Sequence, residues 1–412
     1  MANPVKSDIT IIGAGPAGIA AAITLGKKGI PCLLVDKMNS PKAKICGDGL
    51  SGKVLSTLNR IDTSFVPEIA RSGFASNSEA VRFFSPGLKM MELSFLSKQT
   101  SRPAGFVCKR IDFDHFLLQK AFSFPGIRYE AGIQIEEISR KNGLVTLESK
   151  SNNFTVETSI VLLAAGSCRK LVRQLDPSCV NESEEGTGVR GYFENVGGSD
   201  RKNAIEIHFL RELLPWYLWI FPFRDGSANV GLALPDKLAR KNPLSLKELL
   251  FNLINKYPHL KSRFANAKLT GRIEAGRLPF YSGRQGISGD NFMLLGDAAR
   301  LIDPFTGEGI GNAMISGCFA AEIAMECAAN NDFSRLQTDS YREMIYNKLG
   351  TELELGLNLQ KLASSPLLLN FVIGKASRNE RTRKRISRML YDDNEKEQLG
   401  KTLFYLKLAF GL

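Results

Sequence analysis

Three groups of residues in this chain have types and spacings suited to chemistry. The first is Gly13-Ala14-Gly15-Pro16-Ala17-Gly18, set between a short β-branched run (8–12) and an Ala/Ile/Leu-rich stretch. Asp36-Lys37 stands 18 residues beyond the last glycine. Gly13 permits a tight turn, Gly15 lets a pyrophosphate reach the backbone, and Gly18 lets helix and sheet pack closely. A helix N-terminus there draws phosphate charge, and Asp36 can accept both ribose hydroxyls. The same carboxylate argues against NADP at this loop, because a 2′-phosphate would meet it.

The second group runs from Phe292 to Arg300 and from Asp303 to Asn312. A strand ending at Gly296-Asp297 offers a carboxylate to a ribityl hydroxyl. The loop with Pro304, Gly307, Gly309, Ile310, Gly311 and Asn312 then opens a helix. Its N-terminus, aimed at a flavin N1–C2=O edge, would stabilise the anion formed on reduction. The third group is Cys46-Gly47, a glycine-flanked thiol, with Tyr217, Trp219, Phe221 and Pro222. The three aromatic residues alternate along one strand face and suit an apolar substrate; a plain core face reads the same way. Cys46 reads equally as a small buried thiol.

These groups need particular elements behind them. The run 8–12, a helix to about Lys28 and a second strand at 31–36 have βαβ order, so their strands are parallel. Residues 127–160 hold three alternating segments (IRYEA, LVTLES, FTVET), expected as a three-stranded antiparallel ribbon leading into a buried strand at 160–163. Residues 178–275 look strand-rich, and from Gly309 the chain looks helical. The expected fold is α/β: a discontinuous Rossmann-type FAD-binding domain (1–177 and 276–330), an inserted antiparallel-sheet substrate domain (178–275) and a helical C-terminal region (331–412). Strands near 72–107 are assigned to the substrate lobe.

Composition sets limits. Apolar residues make up 43% and charged residues 23% of 412, ordinary for a globular protein. The net charge of +12 favours an anionic partner: nucleotide cofactor, phosphorylated substrate or anionic membrane. Nucleic acid is not expected, since no recognised binding motif accompanies the charge. Seven scattered cysteines without a CxxC pair, and only three histidines, point away from a metal and toward reduced thiols in a cytosol. The first residues run straight into a strand, with no signal peptide expected, and no apolar run is long enough for a transmembrane helix. Near the C-terminus, residues 375–388 carry seven bases against one acid. The apolar stretch 366–373 precedes them, and Leu399, Leu403, Leu406 and Phe410 follow on one helical face. That pattern suits peripheral contact with an anionic membrane, or simply a solvated face. Nothing in the sequence sets an oligomeric state.

Two further segments complete a family resemblance: Arg110-Ile111-Asp112-Phe113-Asp114, and Ala165-Gly166 with the residues to Arg173. In order with the two glycine segments, they resemble the p-hydroxybenzoate-hydroxylase-type FAD superfamily over about residues 5–330. The resemblance implies Arg110 near the FAD phosphates, Ala165-Gly166 near the adenosine end, and Ile135, on a ribbon strand, facing the adenine. Residues 44–50 (KICGDGL) resemble the CGDGL segment of the geranylgeranyl reductase family. Residues 217–222 (YLWIFP), followed by Gly231, resemble its YxWxFP…GxG motif, although Pro215 is one residue closer than usual and Ala233 replaces the last glycine. This implies reduction of a prenyl double bond by hydride from reduced flavin, with Cys46 as the candidate acid. The alternatives are a flavin monooxygenase acting on an aromatic or polyketide-like substrate and a non-catalytic flavin-binding protein. Flavin-dependent halogenases share a related WxWxIP segment, but no glycine-flanked catalytic lysine matches; Lys44 precedes Cys-Gly instead. No second dinucleotide loop appears, so NAD(P)H, ferredoxin or a quinol could each supply electrons.

Overall fold

The computed structural model describes residues 3–40, 44–94, 105–181, 183, 185–198 and 200–391. Its first layer is an eight-stranded sheet centred on Val5–Ile12. That strand pairs in parallel with Phe154–Leu163 on one side and Cys32–Asp36 on the other. Phe292–Leu294 extends the sheet in parallel beyond Phe154–Leu163, and Ile127–Ala131 extends it beyond Cys32–Asp36. Residues 9–12, 32–35 and 160–163 of these strands are buried and apolar but for Thr10, because helices cover the sheet there, while the first halves of the two longer strands carry polar residues.

Two helices meet over this sheet. Pro16–Lys27 crosses Ile310–Asn330 so closely that a Cβ on Gly317 would lie 2.1 Å from the Ala17 carbonyl oxygen. A Cβ on Gly296 would meet Ala313 at 3.0 Å and Ala17 at 3.4 Å. Ala17 and Ala313 sit in the first turns of their helices, so both N-termini open beside the strand end at Gly296-Asp297.

The second layer is a seven-stranded sheet in the order Lys268–Leu278, Gly186–Glu194, Ala228–Pro235, Leu218–Pro222, Ile205–His208, Ala80–Phe84, Met90–Ser94. Its pairings are antiparallel except that Ile205–His208 runs parallel to Ala80–Phe84. Ala228–Pro235 is buried along almost its whole length, which a strand shows only when both faces are covered. One covering layer includes the amphipathic helix Leu246–Lys256, started by a Ser245/Glu248 capping box. The opposite face joins an apolar cluster with Trp216, Trp219, Phe280 and Ile302.

The ribbon differs from the sequence expectation. Ile127–Ala131 (IRYEA) belongs to the parallel sheet, and the third ribbon strand is Glu137–Lys141, paired with Leu144–Ser149. IRYEA alternates as a ribbon strand would, whereas Glu137–Lys141 has Ile138 as its one apolar residue and gives no periodic signal, so periodicity picks the wrong segment. Ile135 therefore lies in the link between these strands, buried in the main core, and not on a strand. From Ile310 the described chain is helical: Ile310–Asn330, Arg335–Ala363, Pro366–Arg378 and Glu380–Tyr391. Leu399, Leu403, Leu406 and Phe410 lie outside the described residues.

Candidate active site

The glycine loop shows a different physical reason at each glycine. Gly13 has φ +106°, and a Cβ there would strike the Ala164 carbonyl; on Gly18 it would lie 1.9 Å from the Gly13 oxygen. Gly15 is unlike both, since a Cβ there meets nothing within 4 Å. Its missing side chain faces open space at the start of Pro16–Lys27, a helix with no side-chain cap and no acid in its first turn. The amide groups of that turn are thus unspoken for, as an anion site needs. The Asp36 carboxylate accepts from Ala14 N at 2.6 Å and from Met38 N at 2.7 Å, which fixes it beside the loop. Lys37 is exposed just past the strand end.

At the second loop, Gly309 is the N-cap of Ile310–Asn330 and has no side chain to cap with, but the Glu308 carboxylate accepts from Gly311 N at 2.8 Å. Gly307 has φ +71°, and the Tyr217 hydroxyl, 3.0 Å from its Cβ position, donates to the Thr306 carbonyl at 2.7 Å. Asn312 is buried, donates to Leu301 and Glu308 carbonyls and accepts from Lys53. Its side chain is spent on the loop itself. Gly311 packs on the Lys53 stem. Pro304 does not reach the cavity; its carbonyl accepts from Trp216 Nε1 at 2.9 Å. Asp297 pairs with Lys44, whose ammonium also lies near Gly166. Ala165 is half-buried against the main core, and Gly166, with φ +65°, shares a small cleft with Asp297 and Arg300.

A cavity of about 390 Å³ runs from these loops between the two layers. Pro16, Lys44, Asp297 and Gly307–Ile310 line one end; Val81, Ile207, Phe209, Trp216, Tyr217, Trp219 and Phe280 line the rest. Cys46, Gly47, Arg110 and Phe221 lie on its wall. Pro222 ends its strand outside the cavity. Arg110 is buried, and its guanidinium makes a two-point pair with Asp114 at 2.9 and 3.0 Å. Ile135 does not line this cavity.

The Cys46 loop is held by a buried polar network. Asp48 has a left-handed backbone (φ +66°), uncommon for a residue with a side chain, and sits fully buried. Its carboxylate accepts from Tyr192 Oη at 2.7 Å, Asn229 Nδ2 at 2.8 Å and Arg110 N at 3.2 Å. Asn229 Nδ2 also donates to the Cys46 carbonyl at 2.8 Å, while Asn229 Oδ1 accepts from Trp219 Nε1 at 2.9 Å. One side chain thereby ties the thiol loop to the aromatic strand. Burial pushes the Cys46 thiol up; Arg110 opposes this and Asp48 adds to it, so the sulfur keeps its proton at neutral pH. Burial also raises the Asp48 carboxyl, with the Asn229 hydrogen bond the foremost opposing influence.

The glycines around Cys46 face a flat ring that belongs to the protein. A Cβ on Gly47 would lie 2.8 Å from the Phe221 ring, and one on Gly49 3.0 Å from it. Gly231 serves Trp219 in the same way, its Cβ position being 2.2 Å from the indole. Ala233, where the resembling motif has glycine, lines the cavity with its methyl.

Residues 6–112 match the FAD-binding domain family. The chain is 28% identical over 349 residues to the digeranylgeranylglycerophospholipid reductase of Thermoplasma volcanium, covering 83% of each. It is 28% identical over 343 residues to the menaquinone reductase of Mycolicibacterium smegmatis, covering 80% of this chain and 78% of the relative. A solved geranylgeranyl bacteriochlorophyll reductase-like protein from Thermoplasma acidophilum has the same fold, with a TM-score of 0.80 at 24% identity over 96% of this chain and 100% of that one. This chain is an FAD-dependent oxidoreductase similar to the geranylgeranyl reductases. A flavin-dependent brominase variant shares the fold more distantly, with a TM-score of 0.74 at 19% identity over 98% of each chain.

The donor set fits FAD. An uncapped helix start with clear space over Gly15, a fixed acid at Asp36, and a second helix start beside Asp297, where Glu308 occupies one amide, suit pyrophosphate, ribose and ribityl–flavin groups in turn. Sequence reasoning passed over Asn229, Tyr192 and the role of Asp48. Asp48 could have drawn notice as an acid inside a glycine pair; Asn229 and Tyr192 carry no local signal.

Proposed function

We propose that this oxidoreductase reduces carbon–carbon double bonds of a prenyl or isoprenoid lipid, or of a quinone side chain. The supporting observation is the single cavity that joins the cofactor loops to an apolar channel, with a protonated thiol on its wall. An isolated alkene accepts hydride poorly, so a dry pocket and a positioned acid matter more than for an activated substrate. FAD, when bound and reduced, supplies the hydride for one alkene carbon. The Cys46 thiol donates its proton to the other carbon, and the thiolate left behind is reprotonated from solvent. Arg110, beside the sulfur, lowers the cost of that thiolate.

The remaining lining residues act on the lipid. Val81, Ile207, Phe209 and Phe280 offer aliphatic and aromatic surface without charge, which suits a prenyl chain. Trp216 and Trp219 have their indole N–H groups satisfied by Pro304 and Asn229, so they present only apolar surface to it. Tyr217, bonded to Thr306, couples the aromatic wall to the cofactor loop. Re-reduction needs a donor such as NAD(P)H bound transiently, since the sequence has one dinucleotide loop. The names of the relatives, a digeranylgeranylglycerophospholipid reductase and a menaquinone reductase, support an isoprenoid substrate. Incubating dithionite-reduced holoprotein with prenyl lipids and prenylated quinones, and weighing the products by mass spectrometry, tests this. Products gaining two hydrogens per double bond are expected; unchanged lipids throughout would refute it.

A further inference from the structure

We propose that the outer face of the helix Pro366–Arg378, together with the turn before Met90, docks this protein on an anionic lipid bilayer. The helix has two apolar sides. Leu369, Ile373 and Ala376 point inward, into the cluster that holds the cavity-wall residues Val81, Phe209, Trp216 and Trp219. Leu367 and Phe371, one turn apart, point outward and are 79% and 40% exposed. The neighbouring turn adds Leu88 and Met90, 48% and 41% exposed. Gly87 N donates to Asn370 Oδ1 at 2.6 Å, and Gly374 abuts the Lys89 stem, so turn and helix form one surface. Large apolar side chains scattered singly are ordinary on a protein surface; four gathered on one small face are not.

The charge around that face selects the occupant. Exposed Lys89 stands between Leu88 and Met90, and Arg378, Arg381 and Lys384 follow at the helix end and beyond. Residues 375–388 carry seven bases and one acid. Apolar residues rimmed by bases match an anionic interface, where side chains insert among acyl chains and cations meet headgroups. The helix has 13 residues, and among the described residues no helix is long and apolar enough to cross a membrane, so it would lie in the interface plane. One helix thickness then separates the bilayer from the cavity-wall cluster, which places a lipid source next to the apolar channel. The proposal goes beyond the reductase reading, and its test needs no turnover, so either can fail alone.

Holoprotein is sedimented with phosphatidylcholine vesicles and with vesicles also containing phosphatidylglycerol. Binding is expected only to the anionic vesicles and is expected to fall at high salt. The double variant Arg378→Glu/Arg381→Glu should lose about fivefold in affinity per engaged base. Leu367→Ser/Phe371→Ser should lose about tenfold or more, from apolar area no longer inserted. These outward residues leave the core intact, so flavin content and unfolding temperature should stay as in wild type. Equal binding to neutral and anionic vesicles, binding to neither, or wild-type binding by both variants overturns the proposal.

Discussion

Replacing Asn229, whose side chain is fully buried, with leucine keeps the side-chain size and removes three hydrogen bonds. Cys46 O loses a donor at 2.8 Å, Trp219 Nε1 loses an acceptor at 2.9 Å, and Asp48 loses one of three donors. Each orphaned buried group costs about 1–3 kcal/mol. Cys46 O and Trp219 Nε1 are the two groups orphaned, since Asp48 keeps two donors, so the sum is roughly 2–6 kcal/mol, lowered by whatever the loop regains on relaxing. Asp48 should feel it most, because the Asn229 bond is the foremost influence holding its buried carboxyl down. The assay is urea unfolding followed by circular dichroism and flavin fluorescence together, comparing midpoints at equal slope. A cycle with Asp48→Asn should be non-additive, since both variants break one shared bond. An Asn229→Leu protein within about 0.5 kcal/mol of wild type, or a strictly additive cycle, would refute the idea that this residue ties the thiol loop to the aromatic strand.

Other outcomes follow from single residues. Gly15→Val should fold normally, its side chain entering open space, yet purify without FAD; full flavin content by absorbance would contradict the pyrophosphate assignment. Cys46→Ser should retain flavin but slow double-bond reduction, with general-acid losses on the order of 10²–10⁴; an unchanged single-turnover rate would remove the thiol from the mechanism. Asp303 is pushed up to about 6 by burial first, against hydrogen bonds from Thr306 and Phe305. The folded state therefore holds a proton between about pH 4 and 6 that the unfolded chain has released, so stability falls as pH rises through that window. Asp303→Asn keeps the Oδ1 acceptor and should flatten this slope, gaining up to about 3 kcal/mol at pH 7; parallel pH–stability curves would count against it.

The parts of the site that read directly from the sequence are those fixed locally. Gly13 makes its turn with its own positive φ, Gly18 packs on Gly13 five residues away, and the glycines before Ile310 sit at the start of the helix they open. Types and spacing express such constraints. The Asn229 network does not read this way, because its bonds join residues 181 and 183 positions apart. No periodicity marks a contact made only when two sheets face each other. The glycines at 47 and 49 illustrate a subtler limit: their type allows a close approach, and only the fold shows that the Phe221 ring makes it. The ribbon failed for a related reason, since IRYEA alternates yet pairs with Cys32–Asp36, while EISRK, with one apolar residue, pairs into the ribbon without a periodic signal.

The most direct test of the account is the fate of reduced flavin without oxygen. Holoprotein reduced with dithionite, freed of excess reductant and mixed anaerobically with a prenyl lipid or prenylated quinone, is followed through the flavin absorbance. Alkene reduction consumes the flavin's electrons by itself, so the account predicts reoxidation that depends on substrate and matches the double bonds saturated. A flavin that stays reduced with every prenyl lipid offered, and yields hydroxylated product once air enters, would contradict it in favour of a monooxygenase.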